Sequence, residues 1–280
     1  MIGTTSQQSD RVRGEDESVG GIRQLAETQT QRGAVPTRGP QLRTLELDLK
    51  WMRLQNFITP QDDRTLIAEG FRRVKRQILA NMAKSEAGAP ANLIMVTSSL
   101  PREGKTFCSI NLAISIAMEL DRRVLLVDAD TVQPAILPTL GLKPGLQGLM
   151  DVLSDPSIQV EDVLHRTNIE KLTIIPAGTA HRHATEILAS ETMRTLLREL
   201  SERYEDRIVI FDSPPLLVTS EAAVLATHMS QIVMVVAAGQ TTEAALKDAL
   251  RRLEGCGRVG LLLNKGRPPQ SPYYGYGGYG

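Results

Sequence analysis

The stretch "VTSSLPREGKTF", Val96–Phe107, follows an apolar run and opens a helical pattern, and its reading decides the fold. From Ser99 to Thr106 it fits the phosphate-binding loop G-x-x-x-x-G-K-[ST], with Ser99 in place of the first glycine. Holding phosphates takes backbone N–H groups curled round an anion, with a helix N-terminus behind them. Gly104 leaves the space that a side chain would obstruct, Lys105 bridges the β- and γ-oxygens, and the Thr106 hydroxyl suits Mg²⁺. Ser99, Pro101, Arg102, Glu103, Gly104, Lys105, Thr106 and Phe107 are therefore the candidate nucleotide-binding residues. A Gly-Lys-Thr turn at an ordinary helix start is the plain alternative, and the strand-loop-helix context speaks against it.

Around this loop lie five short apolar runs, "NLIMVTS", "RRVLLVDAD", "LTIIPAG", "RIVIFDSPP" and "QIVMVVAA", and a sixth, "GRVGLLLNK". Helical patterns such as "FCSINLAISIAMEL", "ASETMRTLLRELSERY" and "TEAALKDALRRLEG" separate most of them. Such alternation predicts an α/β P-loop fold, with a mostly parallel central sheet flanked by helices on both faces. Ligands of these sheets bind at the carboxyl ends of the strands. There "VLLVDAD" ends with Asp128 and Asp130, and "IVIFDSPP" carries Asp212. Buried runs seldom end in bare carboxylates by accident, and hard oxygen donors at that place suit Mg²⁺. For Asp130, capping of the next turn is an equally simple role.

The 280 residues are 41% hydrophobic and 23% charged, as expected of a globular chain. Lys plus Arg and Asp plus Glu each number 32, so nucleic acid is not expected as the main partner. With no apolar run of membrane-helix length and no h-region at the start, the chain reads as cytoplasmic. Cys108 and Cys256 give neither a disulfide framework nor metal-ligand spacing and read as small core residues. His165, His181, His183 and His228 read as surface histidines, and no Ser-His-Asp spacing supports a hydrolase. Residues 1–41 are poor in large apolar side chains and read as a disordered tail. The segment 42–60 reads either as a short strand or as an amphipathic stretch, and 64–85 as an amphipathic helix with a basic side.

Three of these elements resemble the Walker A, Walker A′ and Walker B motifs of the bacterial tyrosine kinases that accompany polysaccharide export, part of the MinD- and ParA-like ATPases. "VTSSLPREGKT", "LLVDADTVQP", "IVIFDSPPLLVTSEA" and "HATEILASETM" stand in that family's order. The resemblance covers about residues 45–280 and is strongest to stand-alone kinases of exosortase-type exopolysaccharide systems. It implies ATP and Mg²⁺ as cofactors, Lys105, Asp128, Asp130 and Asp212 as catalytic residues with Asp128 as base, Thr106, Asp128 and Asp212 as metal ligands, and Asn264, after the last strand, as a base-reading amide, for which a turn former is the plain alternative. Glu69, Arg72 and Lys75 fall on the family's ring-assembly pattern E-x-x-R-x-x-R, where the last arginine has become lysine. A solvated basic face is the alternative for that helix. Val132 replaces the arginine usual in Walker A′. The second lysine of MinD-type ATPases would fall at Leu100, so the ATPase switch is the less favoured alternative. Implied partners are further copies in a ring and a membrane-anchored polysaccharide co-polymerase that recruits the chain to the inner face of the membrane.

Of five tyrosines, Tyr273, Tyr274, Tyr276 and Tyr279 crowd the last eight residues among glycines. Such a segment, 268–280, cannot pack a core and reads as an extended tail able to enter another copy's site. An adhesive low-complexity tail on a non-catalytic scaffold is the rival reading. Beside a complete phosphate loop, the tail is expected to be the substrate, with residues 42–267 as the kinase domain.

Overall fold

The computed structural model describes residues 44–61, 64–84, 91–202 and 206–266. The segments read as tails, 1–41 and 268–280, lie outside the described residues. In chain order the elements are β1 (Thr44–Leu45), α1 (Leu49–Leu54), α2 (Leu66–Met82), β2 (Leu93–Ser98), α3 (Lys105–Ala117), β3 (Arg123–Asp128), α4 (Ile136–Thr139) and α5 (Leu149–Ser154). After a 3-10 turn at Val160–Val163 come β4 (His165–Thr167), β5 (Leu172–Ile175), α6 (Ala184–Leu188), α7 (Glu191–Glu202), β6 (Arg207–Asp212), α8 (Glu221–Ala226), β7 (Gln231–Ala237), α9 (Glu243–Arg251) and β8 (Arg258–Asn264).

The eight strands form one sheet in the order β1-β4-β5-β3-β6-β2-β7-β8, parallel except where β4 meets β5. Five of the apolar runs look unbroken in sequence because both faces are covered, yet the pleat still sorts them by twos, whereas the edge strand β8 leaves Val259, Leu261 and Leu263 exposed. Met95, Leu125, Val127, Val209, Phe211 and Met234 face one core, closed by Met193, Leu196, Leu197 and Leu200 of α7. Ile94, Val96, Leu126, Ile208, Ile210 and Val235 face the other, closed by α3 and α2. Helix α3 is buried on nearly every side. The amphipathic α2 lies over it with Phe71 and Ile78 inward.

Six strands are those expected from sequence. The short polar β4 escapes a periodicity search, since three residues reading "HRT" carry no apolar pattern. Its presence between β1 and β5 corrects the surface reading of His165, which is buried. Cys108 is buried as expected, whereas Cys256 is half-buried. The open reading of 42–60 resolves into both alternatives, a two-residue strand and a helix capped by Asp48, whose Oδ1 accepts from the amides of Lys50 and Trp51 at 3.0 Å. This segment is pinned behind the phosphate loop: the Ile58 amide donates to buried Asn111 Oδ1 at 2.7 Å, and Phe57 packs on Phe107 with ring centroids 5.0 Å apart.

Lys75, expected to face a neighbouring copy, instead turns inward. Its ammonium is buried, donates to the Ser115 carbonyl at 3.1 Å and pairs with Glu119 at the end of α3. Lysine lacks the extra reach of the arginine fork, and the open carbonyls past a helix end attract a cation. Glu69 and Arg72 pair with each other at 2.8 Å on the outer side of α2.

If α1 belongs to the same core as α3, Met52→Ala, at a fully buried site, lowers unfolding free energy by about 2–5 kcal/mol in urea denaturation. Leu54→Ala, at a position 80% exposed on the same helix, changes it by about 0.5 kcal/mol or less.

Candidate active site

Strand β2 runs buried from Leu93 to Ser98, and its carboxyl end releases the phosphate loop. The loop is fastened from the chain following β6, whose Leu216 and Leu217 amides donate to the carbonyls of Ser98 and Ser99 at 2.8 and 3.1 Å. It closes at Gly104, which caps α3 with φ +97°. Its left-handed backbone is what favours glycine, and a Cβ there would lie 2.1 Å from Asn264 Nδ2, so that side chain would have to move. Arg102 is also left-handed, at φ +66°. For a residue with a Cβ this costs about 1–2 kcal/mol, which the surroundings must offset.

Strands β3 and β6 are paired in register, so that Asp128 lies opposite Asp212 across the sheet. The two carboxyls and Asp130 converge on Lys105. Its Nζ donates to Asp130 Oδ2 at 2.7 Å and stands 4.0 Å from Asp212 Oδ2. Asp212 is wholly buried, accepting from Thr106 Oγ1 at 2.6 Å and from Ser109 Oγ at 2.9 Å. Asp128 Oδ2 accepts the amides of Ala135 and Ile136 at 3.0 and 2.9 Å, tying the strand end to α4. Asp130 Oδ1 also accepts the Gln133 amide at 2.9 Å and closes the next turn, the simpler of the two roles expected of it.

These placements set the protonation states. Burial, and then the Asp212 charge, push Asp128 up to about 7 against its amide hydrogen bonds and Lys105. Burial raises Asp212 as well, opposed by Lys105, Thr106 and Ser109. Burial alone would lower Lys105, but Asp212, Asp130 and Asp128 outweigh it and hold the ammonium above its ordinary value. Cys108 is pushed up to about 12 by burial and by Asp212, which leaves it an unreactive thiol beside the loop.

Among the described residues, no group of three or more His, Cys, Asp or Glu makes a metal cage. Thr106 and Asp212 still offer adjacent hard oxygens, the donor set through which Mg²⁺ is held together with substrate phosphates and water. Ser99 Oγ and Thr131 Oγ1 are buried without a partner beside the loop and beside Asp130, as expected where a polar ligand completes the site. The residues present therefore fit a metal-bound nucleotide.

Other site residues are placed differently from a direct phosphate contact. The Phe107 ring packs on Phe57 and Phe71. The Glu103 carboxylate is buried, accepting from the Leu100 amide at 2.9 Å and from the Thr241 hydroxyl. Asn264 Nδ2 donates to the Glu103 carbonyl at 3.0 Å, so in this state the amide holds the loop. Pro101 and Arg102 are exposed, as is Val132, at 60%. The four tail tyrosines lie outside the described residues. Ser109 was missed by the motif, although it stands one helical turn past Lys105 on the same face. Thr241 and Lys265 were missed because nothing local marks them.

Residues 94–254 match the family model described as AAA domain. The chain is 31% identical over 181 residues to the tyrosine-protein kinase CpsD of Streptococcus pneumoniae serotype 4, covering 64% of this chain and 78% of that one. It superposes on the kinase domain of Escherichia coli tyrosine kinase ETK with TM-score 0.67 and 26% identity, over 84% of this chain and 93% of that one. The fold also matches the septum site-determining protein MinD of Pyrococcus horikoshii complexed with Mg-ADP, with TM-score 0.51 and 21% identity, over 63% and 73% of the two chains.

A carboxyl raised on folding binds its proton more tightly in the folded state, so it makes stability fall as pH rises from 3.8 to about 7. Asp128→Asn removes that contribution. Urea midpoints followed from about pH 4 to pH 8 then decline less steeply than in the wild type, with Asp212 leaving a residual slope of the same sign. Gly104→Ala abolishes nucleotide binding in calorimetry, while circular dichroism reports a folded chain.

Proposed function

Because this chain belongs to the bacterial tyrosine-protein kinase family, within the wider family described as AAA domain, we propose that it is an ATP- and Mg²⁺-dependent autokinase. The tyrosines modified are Tyr273, Tyr274, Tyr276 and Tyr279, presented by one copy to the site of another. The observation that carries this reading is the convergence of three buried carboxylates on Lys105 where strands β2, β3 and β6 end.

Each residue has a task in that chemistry. The loop amides and Lys105 hold the phosphates and stabilise charge on the transferred group. Thr106 and Asp212, with Asp128 nearby, would hold Mg²⁺, which would supply neutralisation of the phosphate charge. The phenol oxygen forms the new bond to the γ-phosphorus. The bond from that phosphorus to the bridging oxygen breaks, and ADP leaves. The phenolic proton passes to Asp128 at Oδ1, which accepts one longer hydrogen bond of 3.3 Å, whereas Oδ2 is committed to two amides. A carboxyl raised to about 7 is matched to accepting a proton near neutral pH.

Residues 42–267 form the kinase domain, flanked by the tails 1–41 and 268–280. No helix of the described residues is long and apolar enough to cross a membrane. A membrane-anchored polysaccharide co-polymerase is the proposed activator, and regulation of exopolysaccharide polymerisation or export the proposed role. Glu69 and Arg72 remain the candidate ring contacts. Each phosphate adds about −1.5 to −2 charges, so repeated modification of one tail sets up the repulsion that releases copies from one another.

The test is mass spectrometry of the purified chain after incubation with Mg²⁺-ATP, beside Lys105→Met and a chain ending at Pro272. Phosphate on the tail tyrosines, lost in Lys105→Met while circular dichroism reports that variant folded, is expected. ADP release with an unmodified tail, even with a partner's cytoplasmic segment added, overturns the reading in favour of a MinD-like ATPase.

A further inference from the structure

The phosphate loop is held from two sides. The carboxylates that do chemistry come from β3 and β6, which lie on one side of β2 in the sheet order. On the other side lie β7 and β8, and the chain that leaves each of them also reaches the loop. After β7, residues 237–241 make a tight turn: the Thr241 amide donates to the Ala237 carbonyl at 3.0 Å and its hydroxyl accepts the Ala237 amide at 2.9 Å. That same hydroxyl donates to Glu103 Oε1, while Glu103 Oε2 accepts the Leu100 amide across the loop. After β8, Lys265 Nζ donates to the Arg102 carbonyl at 2.6 Å and to Gln240 Oε1 at 3.0 Å. Asn264 completes the row on the Glu103 carbonyl.

We propose that Thr241 and Lys265 are positioning residues for phosphoryl transfer, acting through the loop and not on the substrate. Two observations single them out. Glu103 is a carboxylate only 4% exposed, an unfavourable place for a charge unless its hydrogen bonds serve the loop's shape. Arg102 and Lys265 are both non-glycine residues in the left-handed region, at φ +66° and +58°, and they meet through one hydrogen bond. Such conformations persist where the surroundings over-determine them, and they concentrate at sites whose geometry matters. The left-handed turn at Arg102 and Gly104 sets the direction in which the following amides point, which is the condition for an anion-binding nest. Releasing either anchor lets those amides diverge and weakens phosphate binding without touching Lys105 or the carboxylates.

The inference rests on the reading of this loop as the ATP site, and the experiment separates the two. Calorimetry with Mg²⁺-ATP on the wild-type full chain comes first, and absence of binding there sinks that reading itself. With binding established, Thr241→Val keeps the shape and removes the hydroxyl, while Thr241→Ser restores it. Lys265→Asn tolerates a left-handed backbone and lacks the reach. Thr241→Val and Lys265→Asn are expected to weaken Mg²⁺-ATP binding about tenfold, the size of one hydrogen bond to a charged or strained group. The KM for ATP rises in parallel while kcat changes less than about threefold, Thr241→Ser recovers wild-type affinity, and the melting temperature moves little. Wild-type affinity in both truncating variants overturns the proposal. So does an equal loss in Thr241→Ser, or a loss that follows the fall in melting temperature, since either marks a merely structural contact.

Discussion

The structure depends on keeping one ammonium among three carboxyls at the buried end of a sheet. Lys105 is the cation that permits Asp212 to be wholly buried and Asp130 nearly so. Removing one partner of a buried ion pair typically costs about 3–5 kcal/mol, so the pairing constrains stability as strongly as chemistry. The charge is not balanced one to one. Three carboxyls share one lysine, and burial first, with the neighbouring carboxyl charges behind it, raises Asp128 to about 7 and raises Asp212 against the pull of Lys105.

Everything behind this cluster serves to fix where the strand ends lie. Register between β3 and β6 puts Asp128 opposite Asp212, and a one-residue slip of either strand would turn its own aspartate to the opposite face, away from the other. The cores hold that register because the pleat divides the strand residues between α7 on one face and α3 on the other. Buried polar anchors finish the task. Asn111 ties the 44–58 segment to the rear of α3, and Lys75 closes the end of that helix, so the element that begins at Lys105 is fixed at both ends. The phosphate loop, with left-handed backbone at Arg102 and Gly104, is the strained part, and it is spanned on both sides by contacts from other strands.

Local sequence settled whatever depends on neighbours in the chain. The motif from Ser99 to Thr106 specifies a strand, an anion-binding turn and a helix in one run, since Gly104 takes the left-handed backbone at the helix start without the cost of a Cβ and the residues after Lys105 are mostly apolar or small. The continuous apolar runs announce buried parallel strands, and the carboxylates at their ends announce a site. The tertiary structure decided what local pattern cannot encode. Thr241 meets Glu103 across 138 positions of chain, and Lys265 meets the Arg102 carbonyl across 163, separations at which only the sheet order brings side chains together. Lys75 looked like part of an exposed basic face because helical periodicity gives its angle on α2 but not the location of the α3 carbonyls that capture it. His165 looked exposed because a strand of three residues, here paired between β1 and β5, leaves no period to read. Amide and side-chain identity are written in the sequence, whereas burial, and with it the raised protonation of Asp128, exists only once distant segments have closed over the strand ends and excluded water.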